Sequence, residues 1–181
     1  MDNNNTQTKD GFTIIEVMLV LAIAGLIFLM IFIAWPALSR TQRDSQRRDD
    51  ISVLLKKVKD YQTNNRGALP TGEGEGVYGD ENATDTSWSG FYRDYLGSDF
   101  IDPGGTPYKL MVVKCDGTGT AGSPCEEGRG LSDNAKFDGG GEIRIVLQST
   151  CDGQNVVVTN NPRRIAAQYK LEGGGIYCAN S

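Results

Sequence analysis

The sequence predicts an α+β protein with a long N-terminal α-helical spine and a C-terminal head built on an antiparallel β-sheet. Three observations indicate this class: an uncharged apolar run over residues 17–34, helical periodicity that continues to Arg66, and strand-like segments between turn-rich stretches in the remainder. The 181 residues leave room for one anchor and one modest domain. We therefore expect a spine followed by a single head.

The apolar run begins directly after a carboxylate. From Val17 to Ala34 no residue carries a charge, and the run is long enough to cross a bilayer core of about 30 Å. Glu16 stands at its start, and an acid inside a membrane span costs roughly 2.5 to 3.5 kcal/mol on an insertion scale. A plain anchor gives no reason to keep this acid, so Glu16 is a candidate functional residue. The alternative is that Glu16 reaches for water or favours the start of the helix through its dipole.

The spine is expected to continue beyond the apolar run as an amphipathic helix. Pro36 should kink the helix rather than end it, because helical periodicity resumes at once. Gly67 supplies a stop signal and Pro70 prevents resumption. A helix from Phe12 to Arg66 would be about 80 Å long. The positions at three- and four-residue spacing are Ile51, Leu54, Leu55, Val58, Tyr61 and Gln62.

The head is predicted to combine a loop, an aromatic-rich cluster and strands. Residues 71–89 are rich in Gly, Asp and Thr and are expected to form a loop. Strand signals cover residues 108–114, 142–150, 155–159 and 165–171. Three or four such strands, laid across the spine as an antiparallel sheet, are the economical arrangement. The cluster, expected to form a short helix in the core rather than a ligand pocket, contains Trp88, Phe91, Tyr92, Tyr95, Leu96, Phe100 and Ile101.

Charge is unevenly distributed along the chain. Residues 35–66 carry eight Lys/Arg and four Asp/Glu, whereas residues 67–181 carry nine and sixteen. The acidic head argues against sequence-independent binding of nucleic acid, and we expect no direct contact with it. The chain has no histidine, and no nucleophile–base pair, phosphate loop or metal cluster is recognisable. We therefore expect neither an enzyme nor a cofactor.

Four cysteines, Cys115, Cys125, Cys151 and Cys178, all follow the apolar run. They contain no C-x-x-C pair, and no histidine is present to complete a mixed zinc site. Two disulfides in an oxidising compartment are the favoured interpretation, with free buried thiols as the alternative. The cysteines thus place the head outside the cytoplasm.

Three interpretations compete for the N-terminal segment. A secretory signal needs a basic n-region and a short apolar core, but residues 1–11 carry one Lys against two Asp and the apolar run is longer. Residues 37–39, Ala-Leu-Ser, would be its cleavage site. A plain signal anchor explains the length of the run but not Glu16.

The third interpretation comes from a resemblance. Residues 11–25, GFTIIEVMLVLAIAG, resemble the class III signal of type IV pilins and type II secretion pseudopilins. The resemblance implies that a prepilin peptidase cuts between Gly11 and Phe12, that Phe12 is then N-methylated, and that Glu16 is the family's characteristic glutamate. Residues 61–70 and 102–108 resemble head motifs that pilins and major pseudopilins share.

A pilin-like fold divides the chain into four segments. These are a leader at 1–11, a transmembrane or filament-core helix at 12–38, the amphipathic half of the spine at 39–66 and a globular head at 67–181.

The resemblance also implies roles in assembly. When helices bundle, Glu16 of one subunit pairs with the Phe12 amine of its neighbour, which is cationic at neutral pH, and the penalty for an unpaired buried acid enforces register. Gly25 and Pro36 bound a segment that we expect to lose helical hydrogen bonds in a filament. Of three possible disulfide connectivities, the favoured one joins Cys115 to Cys125 and Cys151 to Cys178, much as many pilins tie a C-terminal loop.

These expectations describe a structural subunit, a major or minor pilin of a type IV pilus. It would be a single-pass precursor in the cytoplasmic membrane with its head outside, and later part of a cell-surface filament. Its implied partners are further copies of itself, prepilin peptidase, the pilus assembly platform and, before assembly, the membrane. The alternatives are a major pseudopilin of a type II secretion system and, from another class, a monomeric membrane-anchored extracytoplasmic binding protein. Weak calcium candidates are Asp133, Asn134 and Asp138.

Overall fold

The computed structural model describes residues 11–72, 74–76, 84, 86–114 and 141–181. The chain divides into two compact units, residues 1–39 and 40–181. One long helix, a short helical stretch and seven strands make up the described part. In chain order they are α1 (Ile14–Asn64), β1 (Gly74–Gly76), α2 (Trp88–Phe91) with a π-helical turn (Tyr92–Leu96), β2 (Lys109–Lys114), β3 (Glu142–Leu147), β4 (Ser149–Asp152), β5 (Asn155–Val158), β6 (Ile165–Lys170) and β7 (Ile176–Asn180).

Helix α1 confirms the predicted spine, with Pro36 inside the helix. Its C-terminus is closed by a backbone bond from the Gly67 amide to the Gln62 carbonyl at 2.6 Å. Arg66 (φ +56°) and Gly67 (φ +82°) both adopt the left-handed conformation that this closing turn requires. The helix therefore ends at Asn64, slightly before the predicted stop.

The head is a mixed sheet, in which one pairing differs from the prediction. Five strands lie in the order β1-β2-β3-β6-β7, and β4 and β5 form a separate antiparallel pair. All pairs are antiparallel except β2 and β3, which run parallel from Lys109↔Glu142 to Lys114↔Leu147. Parallel neighbours need a crossover of about a dozen residues or more, and residues 115–140 supply that length. A wholly antiparallel sheet was therefore the wrong expectation for this pair.

Two further differences concern the strands themselves. The strand predicted over residues 142–150 is split at Gln148, whose φ of +57° turns the chain from the large sheet into the β4–β5 pair. Strands β1 and β7 had no sequence signal, and β1 lies inside the predicted loop. These two segments are strands because each hydrogen-bonds to a neighbour, β1 to β2 and β7 to β6.

The core lies between the second half of α1 and the large sheet. The helical positions predicted to face inward are all buried except Gln62, which is half-buried. The aromatic-rich cluster packs there as expected: Trp88, Phe91 and Tyr92 are buried, and the Phe91 and Tyr95 rings stack with centroids 5.4 Å apart. Ile101 is the exception, because its side chain is exposed. The other side of the sheet buries Val146, Val156, Val158 and Ala166.

Candidate functional site

The peptide bond between Gly11 and Phe12 lies just before the first helical residue, Ile14. Both residues are exposed, the Phe12 side chain to 89 %, and a Cβ added to Gly11 would meet no other atom within 4 Å. An exposed bond in non-helical backbone is accessible to a peptidase.

Thr13 and Glu16 form a capping box at the start of α1. The carboxylate oxygen Oε2 of Glu16 accepts bonds from the Thr13 amide (2.9 Å) and hydroxyl (2.8 Å), while the Glu16 amide donates to the Thr13 hydroxyl at 3.4 Å. This reciprocal arrangement is the S/T-x-x-E motif at helix starts. Sequence reasoning missed Thr13, although the spacing of Thr13 and Glu16 was a usable signal. Among the described residues, the second oxygen, Oε1, accepts no hydrogen bond.

The first half of α1 presents an uncovered apolar surface. Large apolar side chains from Ile14 to Trp35 are exposed around the whole helix, most of them to more than half of their area. A contiguous apolar patch of this size marks a membrane or protein interaction site. Among the described residues, α1 is the one helix with an 18-residue window long and apolar enough to cross a membrane. None of that window is buried.

Arg47 anchors the second half of α1 to the head through three carboxylates. The residue is 3 % exposed. Its Nε and Nη2 donate to the two oxygens of Asp102 at 2.7 and 3.0 Å, Nη1 contacts Asp44 at 3.2 Å, and Nη2 also contacts Glu172 at 2.7 Å. The guanidinium lies over the Tyr169 ring, 5.4 Å from its centroid. We call Arg47, Asp44, Asp102 and Glu172 the Arg47 cluster.

Backbone groups complete the Arg47 cluster. Asp102 accepts from the Gly104 amide at 2.7 Å and from the Tyr169 hydroxyl at 3.1 Å. Asp44 accepts from the amides of Glu172 and Gly173, both at 2.9 Å. The cluster therefore joins three parts of the head unit: α1, the turn at residues 102–105 and the connection between β6 and β7.

Two carboxylates of the Arg47 cluster, Asp102 and Glu172, are stabilised in their charged form. Burial alone would raise the pKa of Asp102, but the bonds from Arg47 and the Gly104 amide outweigh it, so this pKa lies below its ordinary value. The hydrogen bond from Arg43, with contributions from Arg47, lowers the pKa of Glu172 to about 2. In return, the bond to Asp102 raises the pKa of Arg47 above its ordinary value. Asp102, Glu172 and Arg47 are thus charged throughout the neutral range.

The motif at residues 102–108 makes a second contact with α1. Tyr108, which is buried, donates its hydroxyl hydrogen bond to Asp50 at 2.8 Å. Desolvation raises the pKa of Asp50 despite that bond. Both ends of the motif therefore contact α1 one turn apart, Asp102 at Arg47 and Tyr108 at Asp50.

Sequence reasoning did not separate Arg47 from the neighbouring arginines. A signal was present, because Asp44 and Arg47 continue the spacing of Ile51, Leu54 and Val58 on the buried face. Their partners, Asp102 and Glu172, lie far away in the sequence, and only the fold brings them together.

The remaining predicted site residues have different outcomes. Cys151 and Cys178 form the expected disulfide, which links β4 to β7 with a Cα–Cα distance of 5.9 Å. The predicted pair Cys115–Cys125 and the calcium candidates Asp133, Asn134 and Asp138 lie outside the described residues. Within the described part of the chain, no group of three His, Cys, Asp or Glu side chains is placed to hold a metal ion. The loss of helix between Gly25 and Pro36 on assembly stays a prediction.

Comparison with known protein families identifies the prokaryotic N-terminal methylation motif at residues 7–32. The chain therefore carries a class III signal typical of type IV pilins and pseudopilins, which are structural, non-enzymatic proteins. No curated protein and no solved structure matched the chain. The match covers the N-terminal segment alone, so the head is interpreted from its own geometry.

Proposed function

We propose that this chain is the precursor of a structural subunit, a major or minor pilin of a type IV pilus. The observation that carries the proposal is the methylation motif over residues 7–32, followed by an apolar helix surface that no described residue covers. Prepilin peptidase cleaves between Gly11 and Phe12, and Phe12 is N-methylated. The assembly platform then transfers the membrane-held subunit into a filament.

Glu16 provides register during this transfer. Cleavage creates an amine at Phe12 whose ordinary pKa of about 7.7 to 8 leaves it largely cationic at neutral pH. Oε2 of Glu16 is held by Thr13, and Oε1 remains available to the Phe12 amine of a neighbouring copy. Because a buried, unpaired carboxylate costs several kcal/mol, subunits out of register are disfavoured.

The uncovered helix supports burial against like helices. Apolar side chains in lipid gain little from changing lipid contacts for helix contacts, so packing and polar pairs decide association. Extraction from the membrane is then feasible because a bundle of equivalent helices replaces the lipid. Gly25 and Pro36 would bound the segment that loosens on packing.

The alternative is a pseudopilin of a type II secretion system, since the methylation motif is typical of both classes. The two proposals differ in the filament: a pilus extends from the cell surface, whereas a pseudopilus remains short and periplasmic. Shearing of cells followed by immunoblotting of the released material separates them. A membrane-anchored binding protein that stays monomeric would likewise release no filament on shearing.

The test combines one mass and three variants. The mature chain should begin at Phe12, with the mass of one added methyl group. Glu16→Ala should abolish filaments while membrane insertion persists, and Asp60→Ala, which removes another exposed acid of α1, should assemble normally. Glu16→Gln separates two roles, because glutamine preserves the capping box and removes the charge. Normal filaments from Glu16→Gln would exclude charge pairing, and normal filaments from Glu16→Ala would overturn the proposed function.

A further inference from the structure

The head carries a basic groove where the end of α1 meets the turn before β6. The groove has a volume of about 470 Å³ and is lined by Lys59, Gln62, Thr63, Arg66, Gly67 and Arg163. We call this set the basic groove. Three of its six residues are cationic, and none is acidic or aromatic.

The fold holds the cationic side chains of the basic groove together. Gln62 donates its side-chain hydrogen bond to the Arg163 carbonyl at 2.8 Å, which ties α1 to the turn before β6. A Cβ at Gly67 would lie 2.9 Å from the Arg163 guanidinium, so the missing side chain lets that group lie over the helix end. Arg66, at φ +56°, belongs to the same closing turn. The groove is therefore a consequence of how the helix ends.

The cations of the basic groove form no ion pair within the described part of the chain. Lys59, Arg66 and Arg163 are exposed, and none forms an ion pair with a described residue. Arg43 and Arg47 on the same helix are, in contrast, both paired. Three like charges that line one groove repel one another, and an anionic group bound between them would relieve that repulsion.

The chemistry of the groove favours carboxylates. Arginine guanidinium groups bind carboxylate or phosphate with two parallel hydrogen bonds. The lining has no aromatic ring on which a nucleobase could stack, and the excess of sixteen acids over nine bases in residues 67–181 repels a long polyanion. The chain itself offers such carboxylate groups, because Asp99 and Asp152 of the head are exposed and neither forms an ion pair with a described residue.

We propose that the basic groove binds acidic side chains of a second copy of this chain, forming a contact between heads in the filament. This inference rests on the proposed function, because it requires that copies polymerise. The contact would add electrostatic orientation of the heads to the register set at Glu16.

Charge reversal in the full-length chain tests the contact. Arg66→Glu combined with Arg163→Glu should reduce sheared filaments relative to the membrane pool by about tenfold or more, because like charges would then face each other. Lys56→Glu combined with Lys170→Glu is the matched control, since it makes the same charge change at exposed residues outside the groove. Equal urea midpoints for the two double variants in detergent would show that the head remains folded.

Cross-linking identifies the bound group. A zero-length carbodiimide joins a lysine amine to a carboxylate that contacts it, so assembled filaments should give covalent dimers linked through Lys59. Lys59→Arg keeps the charge but removes the amine, and it should abolish these dimers while filament yield stays normal.

Normal filament yield from the Arg66/Arg163 reversal, or dimers that do not involve Lys59, would overturn the inference. So would normal filaments that lose DNA retention on that reversal, since the groove would then bind nucleic acid. Failure of the proposed function is distinguishable, because it appears as a wild-type chain without filaments or as normal assembly of Glu16→Ala.

Discussion

Replacement of Arg47 by methionine should strongly destabilise the head. Methionine retains most of the buried aliphatic volume but removes the cation that faces Asp44, Asp102 and Glu172. Removal of one partner from a buried ion pair costs about 3–5 kcal/mol, because the remaining charge is left without compensation. Asp102 is 3 % exposed and cannot turn to water. A domain of this size has a free energy of unfolding of about 5–15 kcal/mol, so the loss is a large fraction of the total.

The assay is urea unfolding of the full chain in detergent. A Trp35→Phe background leaves Trp88, which is buried in the core, as the sole tryptophan. With a slope of about 2 kcal/mol per molar urea, Arg47→Met should lower the midpoint by about 2 M. Adding Asp102→Asn should recover part of the loss, because the stranded charge disappears. Arg93→Met is the control: its ion pair with Asp94 is exposed and should contribute at most about 1 kcal/mol. A loss below that value for Arg47→Met would refute the assignment of a buried, stabilising cluster.

Three further predictions concern the same head. Folding lowers the pKa values of Glu172 and Asp102, so the stability that these two carboxylates give the folded head is complete above about pH 4.5 and is lost as the pH falls towards 2. The raised pKa of Asp50 has the opposite effect on stability over the same range. The urea midpoint should therefore fall between pH 4.5 and 2, and a curve for Glu172→Gln as steep as that of the wild type would contradict this cause. Replacing Cys151 and Cys178 by serine should cost about 3.5 kcal/mol, because the bridge closes a sequence separation of 27 residues. Equal midpoints for the reduced and the oxidised wild type would contradict this. Gly67→Ala should cost about 1 kcal/mol because of its φ of +82°, whereas Gly25→Ala in helix α1 should not reduce the midpoint.

The parts of the fold that sequence predicts are those encoded by local repetition. The buried face of α1 follows from three- and four-residue spacing. Strand β3 follows from its own apolar residues, although residues 143–146 are buried in succession rather than alternately. Strand β1, with the sequence Gly-Glu-Gly, has no intrinsic strand preference and forms because it pairs with β2. The parallel pairing of β2 with β3 likewise depends on the position to which the chain returns after the long connection between them. Periodicity carries no information about that return.

The same distinction applies to the candidate sites. Gly11, Phe12 and Glu16 are contiguous enough to be read as one motif, and their chemistry needs no distant partner within the chain. Arg47 could be placed on the buried face from its spacing. Its charge, however, is neutralised by Asp102 and Glu172, which lie about 55 and 125 positions later in the sequence, and no local pattern encodes these pairings. The basic groove was also missed, because Arg163 and the end of α1 are brought together by the fold and not by a local sequence pattern.

The fold gives four basic residues of the segment 35–66 two different surroundings. Arg43 and Arg47 point to carboxylates of the same head, and these contacts hold the head on its helix. Lys59, farther along the same helix, and Arg66, in the turn that closes it, form no ion pair with a described residue and line the basic groove. Neutralising Arg47 should therefore reduce the free energy of unfolding, whereas reversing charge in the groove should reduce filament yield and leave the unfolding midpoint unchanged. Basic residues of one segment thus stabilise the subunit through Arg43 and Arg47 and, in the proposed filament, orient it through Lys59 and Arg66.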